Sequence, residues 1–310
     1  MSNTHTLDSY SLGATFPPRS SNRMRYLKTT AIVSALLVSA GGAPAADEIS
    51  NFKSYVDSDI CSHLMLGPIN SARVECSQKT HKDGSGPVLV RLTDNTVLEV
   101  NKQKMINKLV GQLADVSGEL KLRDGMVKLK DVKPIDSNSI PKGDPARRLL
   151  DVRTFKTTGD KTFEKIRHEL AMMPYISEFD YISFTMVGND VVLSGWTVRN
   201  TNRSYAENVI KNIEGVEKII NNIEVLPLGS IDMQIRGAAR AVLQQNLSRY
   251  FWGSGSDIKI IVKNGDIILL GSVTNEGDKN IAGIRCNSIR NAFHVFNLLR
   301  VQGSAPEKKG

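Results

Sequence analysis

The sequence predicts an α+β protein in which a small, disulfide-stapled β-barrel precedes two tandem αββαβ modules. Three observations support this fold class. Residues 187–225 align without a gap on residues 263–301, at a constant offset of 76. Alternating apolar and polar residues over 87–135 predict several short strands in succession. Two cysteines, Cys61 and Cys76, stand in the segment ahead of those strands.

The first 46 residues are predicted to be a secretory signal peptide (1–46) with an N-terminal extension. An apolar run over 31–40 is followed by Ala43, Pro44 and Ala45, which is the small-residue pattern of a cleavage site. The basic residues ahead of the run are Arg19, Arg23, Arg25 and Lys28. A membrane anchor is the alternative, but the run is shorter than the roughly 20 apolar residues that a spanning helix needs. We therefore expect an exported protein, periplasmic or secreted, with Met24 as a second candidate start.

Residues 47–86 are predicted to be largely irregular and to contain a disulfide between the two cysteines. A cysteine pair in an exported protein forms a disulfide by default, because that compartment is oxidising. Closing this loop should stabilise the fold by roughly 3 kcal/mol. A zinc site is the alternative, since His63 and His81 stand near the cysteines, although the spacing resembles zinc sites only loosely. We expect no metal ion and no cofactor.

The segment 47–136 is predicted to be the barrel domain. A short helix over 101–111 follows its first two alternating segments. The side chains that this helix should turn inward are Met105, Leu109 and Val110. Two more strands meet at Arg123-Asp124-Gly125, which is a strong hairpin signal. The ending VSGELKLRDGMVKLKDVKPI resembles the last hairpin of bacterial OB-like barrels, which implies a small OB-like barrel over 87–135.

Two modules of the same pattern follow a predicted linker. Residues 137–159 lack apolar periodicity and are rich in Ser, Asn, Pro and Gly, which is typical of a linker. Module 1 (160–228) and module 2 (229–303) each have the order helix, strand, strand, helix, strand, and a tail (304–310) ends the chain. The apolar face of the first helix in module 1 consists of Phe163, Ile166, Leu170 and Met173. The apolar face of its second helix consists of Tyr205, Ala206, Val209, Ile210 and Ile213.

The glycines are the best-matched residues of the two copies. Gly195 and Gly271 occupy the same position in the second strand, and Gly215 ends the second helix of module 1. Such a strand glycine either presents its amide to a lipid phosphate or permits a bulge or close approach, which we favour. Cys286 aligns with Ile210 on an apolar helical face, so it is predicted to be a buried free thiol.

The order of elements, with the phrases GNDVVLSGWTV and GVEKIINNIEV, resembles the BON domain family over roughly 160–303. Members of that family are small α/β modules, often found in tandem in exported bacterial proteins. The resemblance implies binding at the bacterial cell envelope, with phospholipid surfaces and with osmotic or envelope stress as the expected context. It implies no enzymatic activity.

Candidates for contact with a lipid or a partner lie at three places. Module 2 carries an inserted basic and aromatic cluster beside a Gly-Ser-Gly loop: Arg249, Tyr250, Phe251 and Trp252. Such rings suit a membrane interface, but packing between the modules is the interpretation that we favour. Trp196, next to Gly195, has the same two interpretations. Three lysines of the predicted barrel helix either contribute about 1 kcal/mol each near an anionic surface or form a solvated face: Lys102, Lys104 and Lys108.

The sequence favours a binding protein over an enzyme. It contains no HExxH, P-loop or GxSxG motif. Export, together with a formal net charge of only +8, disfavours nucleic acid as a partner. Our first hypothesis is contact with an anionic phospholipid surface. The alternative is an envelope scaffold or adaptor that binds protein or glycan partners without lipid, and the sequence predicts no particular oligomeric state.

Overall fold

A computed structural model describes residues 48–121, 126–157, 159–252 and 256–302. The signal-peptide prediction for 1–46, the Arg123-Asp124-Gly125 turn and the tail at 304–310 lie outside the described residues. Among the helices in the described ranges, none combines the length and the apolar composition that crossing a bilayer requires.

Five strands close into a barrel in the N-terminal part. They are β1 (Glu48–Ser58), β2 (Pro87–Arg91), β3 (Val97–Val100), β4 (Leu113–Lys121) and β5 (Met126–Ile135). Their order around the barrel is β1-β2-β3-β5-β4, in which β3 and β5 pair in parallel and the other neighbours are antiparallel. Apolar side chains from all five strands fill the interior, among them Val56, Leu89, Leu98, Val116 and Leu129.

The segment predicted to be irregular, 47–86, is instead ordered as β1 and two helices. Helix α1 (Asp59–Leu64) is capped at its N-terminus by Ser58, whose side chain accepts a hydrogen bond from the Cys61 amide. Helix α2 (Ser71–Lys82) buries only polar side chains: Arg73, Ser77 and Thr80. No apolar helical stripe is visible here, because α2 is held on the barrel mainly by hydrogen bonds, with Val74 as a partly buried apolar contact.

A buried polar network holds α2 on the barrel. Arg73 donates through Nε to Asp57 Oδ2 at 3.0 Å, and Ser77 Oγ lies 3.0 Å from the Tyr55 hydroxyl. Thr80 Oγ1 lies 2.6 Å from Ser58 Oγ. Burial raises the pKa of Asp57, while the Arg73 guanidinium lowers it. Each of these polar groups has a partner on β1, so burying α2 leaves the network satisfied.

The predicted disulfide is confirmed, because Cys61 of α1 is bonded to Cys76 of α2. Bonded cysteines are not available as zinc ligands, so the alternative zinc site is wrong. The two histidines have other partners. His63 Nδ1 lies 2.8 Å from Ser194 Oγ in module 1, and His81 Nδ1 lies 2.8 Å from the Ser85 carbonyl oxygen.

The predicted helix over 101–111 is instead two short 3₁₀ turns, Gln103–Met105 and Asn107–Leu109. Their tighter geometry changes which side chains point inward. Ile106 and Val110 are buried and Leu109 packs against them, whereas Met105 is exposed. The inward position that we assigned to Met105 is therefore taken by Ile106.

The predicted linker 137–159 is packed against the rest of the protein. Ile140, Ala146 and Leu149 are buried in one cluster with barrel residues such as Tyr55. The Lys53 ammonium lies 3.1 Å from the Asp144 carboxylate. Strand β6 (Phe155–Lys156) then joins the sheet of module 1. Short 3₁₀ turns space the apolar residues irregularly, which explains why no periodicity is visible in the sequence.

Both modules have the predicted αββαβ order. Module 1 contains α3 (Lys161–Ala171), β7 (Tyr181–Val187), β8 (Asp190–Thr197), α4 (Asn200–Ile210) and β9 (Lys218–Val225). Module 2 contains α5 (Ser230–Leu247), β10 (Ile258–Lys263), β11 (Asp266–Val273), α6 (Glu276–Asn287), β12 (Val295–Asn297) and β13 (Arg300–Val301). In each module the first two strands are antiparallel, and the last segment pairs in parallel with the second strand.

The matched glycines occupy one backbone geometry in both modules. Gly195 has φ +117° and Gly271 has φ +105°. A Cβ at Gly195 would overlap the carbonyl oxygen of Tyr181, and a Cβ at Gly271 would overlap that of Asp257. Those two neighbours are themselves 76 residues apart. The glycines therefore permit a close backbone approach that any other residue would block.

The helices of each module cover one side of its sheet. In module 1 the predicted face of α3 packs with Ala206 and Ile210 of α4, although Tyr205 is exposed. In module 2 the corresponding core includes Cys286, which is a buried free thiol as predicted. The other sides of the two sheets meet at α1, where Ile60 packs with Trp196 and Ile268. The solvent side of each helical layer stays exposed.

Candidate functional site

The solvent side of the helical layer in module 2 exposes large apolar side chains. We call this surface the module 2 face, and it consists of Met233, Trp252, Ile281, Ile284 and Phe293. Ile284 is 69% exposed, Phe293 73% and Trp252 78%. Helices α5 and α6 pack side by side on the sheet, and α5 alone is about 27 Å long. This group of exposed large apolar side chains makes the face a candidate interaction surface.

The end of the module 2 face at Phe293 is fixed by contacts with the β10–β11 turn. At one end, Phe293 donates its amide to the Gly265 carbonyl oxygen at 2.9 Å, and a Cβ at Gly265 would touch the Phe293 ring. Asp232, beside Met233, accepts hydrogen bonds from the Asn264 and Gly265 amides at 3.0 and 2.9 Å. At the other end, Trp252 directly follows the 3₁₀ turn Ser248–Phe251.

The charge around this face is positive. Four arginines of this module are exposed: Arg240, Arg249, Arg285 and Arg290. Arg240 is paired with Glu178 and Arg249 with Asp278, which leaves Arg285 and Arg290 as the two of these four without a carboxylate partner in the described ranges. Residues 229–302 contain nine Lys and Arg against five Asp and Glu, whereas residues 160–228 contain seven against ten. Module 2 is therefore cationic, and module 1 is anionic.

The two copies differ at matched positions on this face. At three positions matched at the constant offset of 76 residues, module 2 carries an apolar or basic residue where module 1 carries a polar or acidic one. The pairs are Ile284 and Asn208, Arg290 and Glu214, and Phe293 and Glu217. We did not single out Ile284, Arg290 or Phe293 from the sequence. A residue-by-residue comparison of the two copies was the signal that could have found them.

The predicted aromatic cluster is divided between core and surface. Tyr250 is buried, and its hydroxyl lies 2.8 Å from Thr274 Oγ1 and contacts Asp278. Arg249 pairs with Asp278 and lies over the Tyr250 ring, 5.0 Å from its centroid. Phe251 is half-buried against the core of module 2. Of the three aromatic rings in the cluster, only that of Trp252 is mostly exposed to solvent.

The remaining candidates lie apart from the module 2 face. Trp196 is fully buried, with its ring centroid 4.7 Å from that of His63, so it has no exposed surface with which to contact a lipid. Its packing interpretation therefore applies. Gly215 has φ +88° at the end of α4 and approaches Thr162 of α3. The three lysines Lys102, Lys104 and Lys108 are exposed on the 3₁₀ turns of the barrel.

A cluster of ionisable groups joins α1 to both modules. Asp59, His63 and Glu224 place their ligand atoms within 4.8 Å of one another, which is close enough to hold a metal ion. Lys263 of module 2 already lies 2.8 Å from the Asp59 carboxylate and 2.8 Å from that of Glu224. The chain thus supplies the cation that these carboxylates need, and the cluster acts as a bridge between three parts of the fold.

The pKa values of this cluster follow from burial and charge. Burial lowers the pKa of His63 to about 4, so the imidazole is neutral at pH 7. Burial raises the pKa of Glu224. Burial alone would lower the pKa of Lys263, but the two carboxylates outweigh it and raise that pKa above its usual value. The ammonium therefore stays charged where it bridges the carboxylates.

The comparisons with known proteins identify the repeated unit. The BON domain model matches residues 160–227 and 232–303, so the C-terminal part of the chain carries two tandem BON domains, as the resemblance predicted. BON domains are linked to envelope-associated proteins. None of the curated proteins compared with the chain matches it.

Two solved structures show a distant likeness. One is the C-terminal domain of CdsD, the structural protein of the type III secretion system of Chlamydia trachomatis, at 11% identity and a TM-score of 0.19. The match covers 47% of this chain and 99% of the CdsD chain. A second CdsD structure from the same organism has 11% identity and a TM-score of 0.18, covering 44% of this chain and 90% of its own. Similarity at this level carries no inference about function.

Proposed function

We propose that this protein is an exported, envelope-associated binding protein whose module 2 face contacts anionic phospholipid surfaces. One observation carries the proposal: exposed Ile284, Phe293 and Trp252 lie on the cationic module, while the matched positions of the anionic module are polar or acidic where they can be compared. An apolar surface bordered by arginines is the combination that an anionic bilayer interface binds.

Two contributions to the binding free energy, apolar burial and electrostatic attraction, both favour association with an anionic bilayer. Apolar side chains that enter the acyl boundary gain burial that they lack in water. Each arginine near the surface contributes about 1 kcal/mol through attraction to anionic head groups. Salt weakens this second contribution because it screens exposed charges. Binding should therefore depend on both lipid charge and ionic strength.

The export signal, a periplasmic or secreted location and a role in osmotic or envelope stress belong to the same proposal. The apolar run at 31–40 and the two BON domains support them. We also propose that the protein is not an enzyme, since its sequence has none of the common catalytic motifs. The barrel order β1-β2-β3-β5-β4 supports the proposal that the N-terminal domain is OB-like.

Co-sedimentation with phosphatidylglycerol liposomes tests the lipid proposal. The wild-type protein should pellet at low salt and pellet less at high salt. Replacing Ile284→Asn and Phe293→Glu introduces the residues of module 1 at the matched positions, and it should reduce pelleting about tenfold or more, because apolar burial is lost and a negative charge is added.

Module 1 offers the matched control. Tyr205, the position in α4 that corresponds to Ile281, is also exposed, so Tyr205→Ser should leave pelleting unchanged. Equal and negligible pelleting at both salt concentrations would overturn the lipid proposal. That result would favour the scaffold alternative, in which envelope proteins or glycans are the partners.

A further inference from the structure

A pocket, away from the module 2 face, lies where α1, module 1 and module 2 meet. Its volume is about 460 Å³, and its walls include Leu64 and Met65 of the α1 region, Tyr181 of β7, and Leu270 and Leu298 of module 2. A pocket of this size with mostly apolar walls and a few polar groups is typical of a small-molecule site.

The pocket exists because the two modules differ at matched positions on their inner sides. Trp196 of β8 pairs with Glu224 of β9, and Ser272 of β11 pairs with Arg300 of β13. Ser272 is therefore the counterpart of Trp196, at the same register and 76 residues later. In module 1 the indole is fully buried and fills the space. In module 2 the small serine leaves that space open.

Another matched pair, Asn222 and Leu298, has different surroundings in the two modules. Asn222 of β9 bonds to the barrel, since its amide donates to the Asn95 carbonyl oxygen at 2.8 Å and its Oδ1 accepts from the Val97 amide at 3.2 Å. Its counterpart in module 2 is Leu298, which lines the pocket. The barrel therefore covers the inner side of module 1, while the matched part of module 2 borders the pocket.

The charge of the pocket is set by Arg300. Among the described residues that line the pocket, Arg300 is the only charged one. Its counterpart Glu224 is neutralised by Lys263 at 2.8 Å. No hydrogen bond or ion pair joins the Arg300 side chain to any residue in the described ranges. A guanidinium at the edge of an apolar pocket is complementary to an anion attached to an apolar chain.

We propose that this pocket binds a single-chain anionic amphiphile, whose acyl chain lies against Leu270 and Leu298 and whose head group is held by Arg300. The inference does not depend on the module 2 face, because the pocket lies on the other side of the sheet. The pocket would bind one amphiphile molecule, whereas the module 2 face would contact the surface of a bilayer.

Fluorescence of 11-(dansylamino)undecanoate, added to the full chain without vesicles and below its micellar concentration, tests the pocket. We expect saturable binding of one probe per chain. Arg300→Gln should weaken that binding about tenfold, since it removes a charge-assisted hydrogen bond. Arg300 is exposed, so this variant should keep its fold.

A second variant tests the space itself. Ser272→Trp installs the residue that module 1 carries at the same register, and it should abolish probe binding by filling the pocket. Ser272→Ala keeps the space and should bind as the wild type does. If the Trp variant does not fold, the Arg300→Gln result decides alone. Probe binding that neither Arg300→Gln nor Ser272→Trp changes would overturn the proposal.

Competition identifies the head group and separates the two proposals. Displacement by laurate indicates a carboxylate ligand, and displacement by lauroyl lysophosphatidylglycerol indicates a phosphodiester one. Dodecanol has the same chain without charge, so displacement by dodecanol as strongly as by laurate would overturn the role of Arg300. The Ile284→Asn, Phe293→Glu variant should bind the probe normally, so failure of one proposal leaves the other standing.

Discussion

Single residues decide what each module can do. Ser272 in place of a tryptophan opens a pocket, and Phe293 in place of a glutamate makes a surface apolar. Both changes occur on an unchanged backbone, because Gly195 and Gly271 permit the same close approach in each copy. The duplicated framework and the candidate binding surfaces are therefore separable at the level of individual side chains.

Two glycines of module 2 should respond oppositely to substitution. Gly271→Ala forces a Cβ into the Asp257 carbonyl at a positive φ, so it should lower the free energy of unfolding by about 2 kcal/mol or more. Gly237→Ala lies in α5 with open space around its Cβ, so it should raise that free energy by about 0.5–1 kcal/mol. Urea unfolding measures both. Equal effects would mean that the close approach does not constrain position 271.

At the scale of elements, α1 is short but makes contacts out of proportion to its length. It is bonded to α2 by the disulfide, packs Ile60 against both module sheets and brings Asp59 to Lys263. A helix of six residues has little stability of its own. The disulfide and the tertiary contacts together keep it in place.

Reduction of the disulfide should therefore destabilise the whole folded unit. In the chain-entropy treatment, closure of this loop contributes about 3 kcal/mol to the free energy of unfolding. Urea unfolding with and without a phosphine reductant measures the loss, and the Cys61→Ser, Cys76→Ser variant should match the reduced wild type. Cys286 does not complicate the test, because burial raises the pKa of its thiol to about 12. An unchanged midpoint after complete reduction would contradict this prediction.

At the scale of the whole molecule, the cluster of Asp59, His63, Glu224 and Lys263 connects the barrel segment with both modules. His63 is buried and neutral, with Ser194 Oγ on one ring nitrogen and the two carboxylates 3.8 Å from the other. The pKa of His63 is about 4 in the folded protein, against about 6.5 in the unfolded chain. The unfolded state therefore binds this proton first as the pH falls.

The stability that depends on His63 is present above pH 6.5 and is lost as the pH falls from 6.5 towards 4. Between pH 7.5 and pH 5 it should amount to about 2 kcal/mol of the free energy of unfolding. The His63→Asn variant has no group at this position that titrates in this range. Its free energy of unfolding should therefore fall by about 2 kcal/mol less than that of the wild type between pH 7.5 and pH 5. Urea unfolding at the two pH values measures the difference, and parallel losses in both proteins would show that His63 does not titrate as described.

The sequence by itself determined the duplicated αββαβ modules, the strands after residue 87 and the pairing of Cys61 with Cys76. These follow from local periodicity and from residue chemistry, which neighbouring residues express without help from the rest of the chain. It missed α2, because its buried side is polar, and it left membrane contact open for Trp196 although it favoured packing, which the structure shows.

Only the tertiary structure decided which faces are covered. Periodicity shows that one side of a helix or strand is apolar, but coverage of the other side depends on distant segments of the chain. The barrel, α1 and the packed segment 137–157 cover the inner side of module 1, while the helical layers of both modules and the space beside Ser272 stay open. The candidate binding surfaces are what this long-range packing leaves exposed.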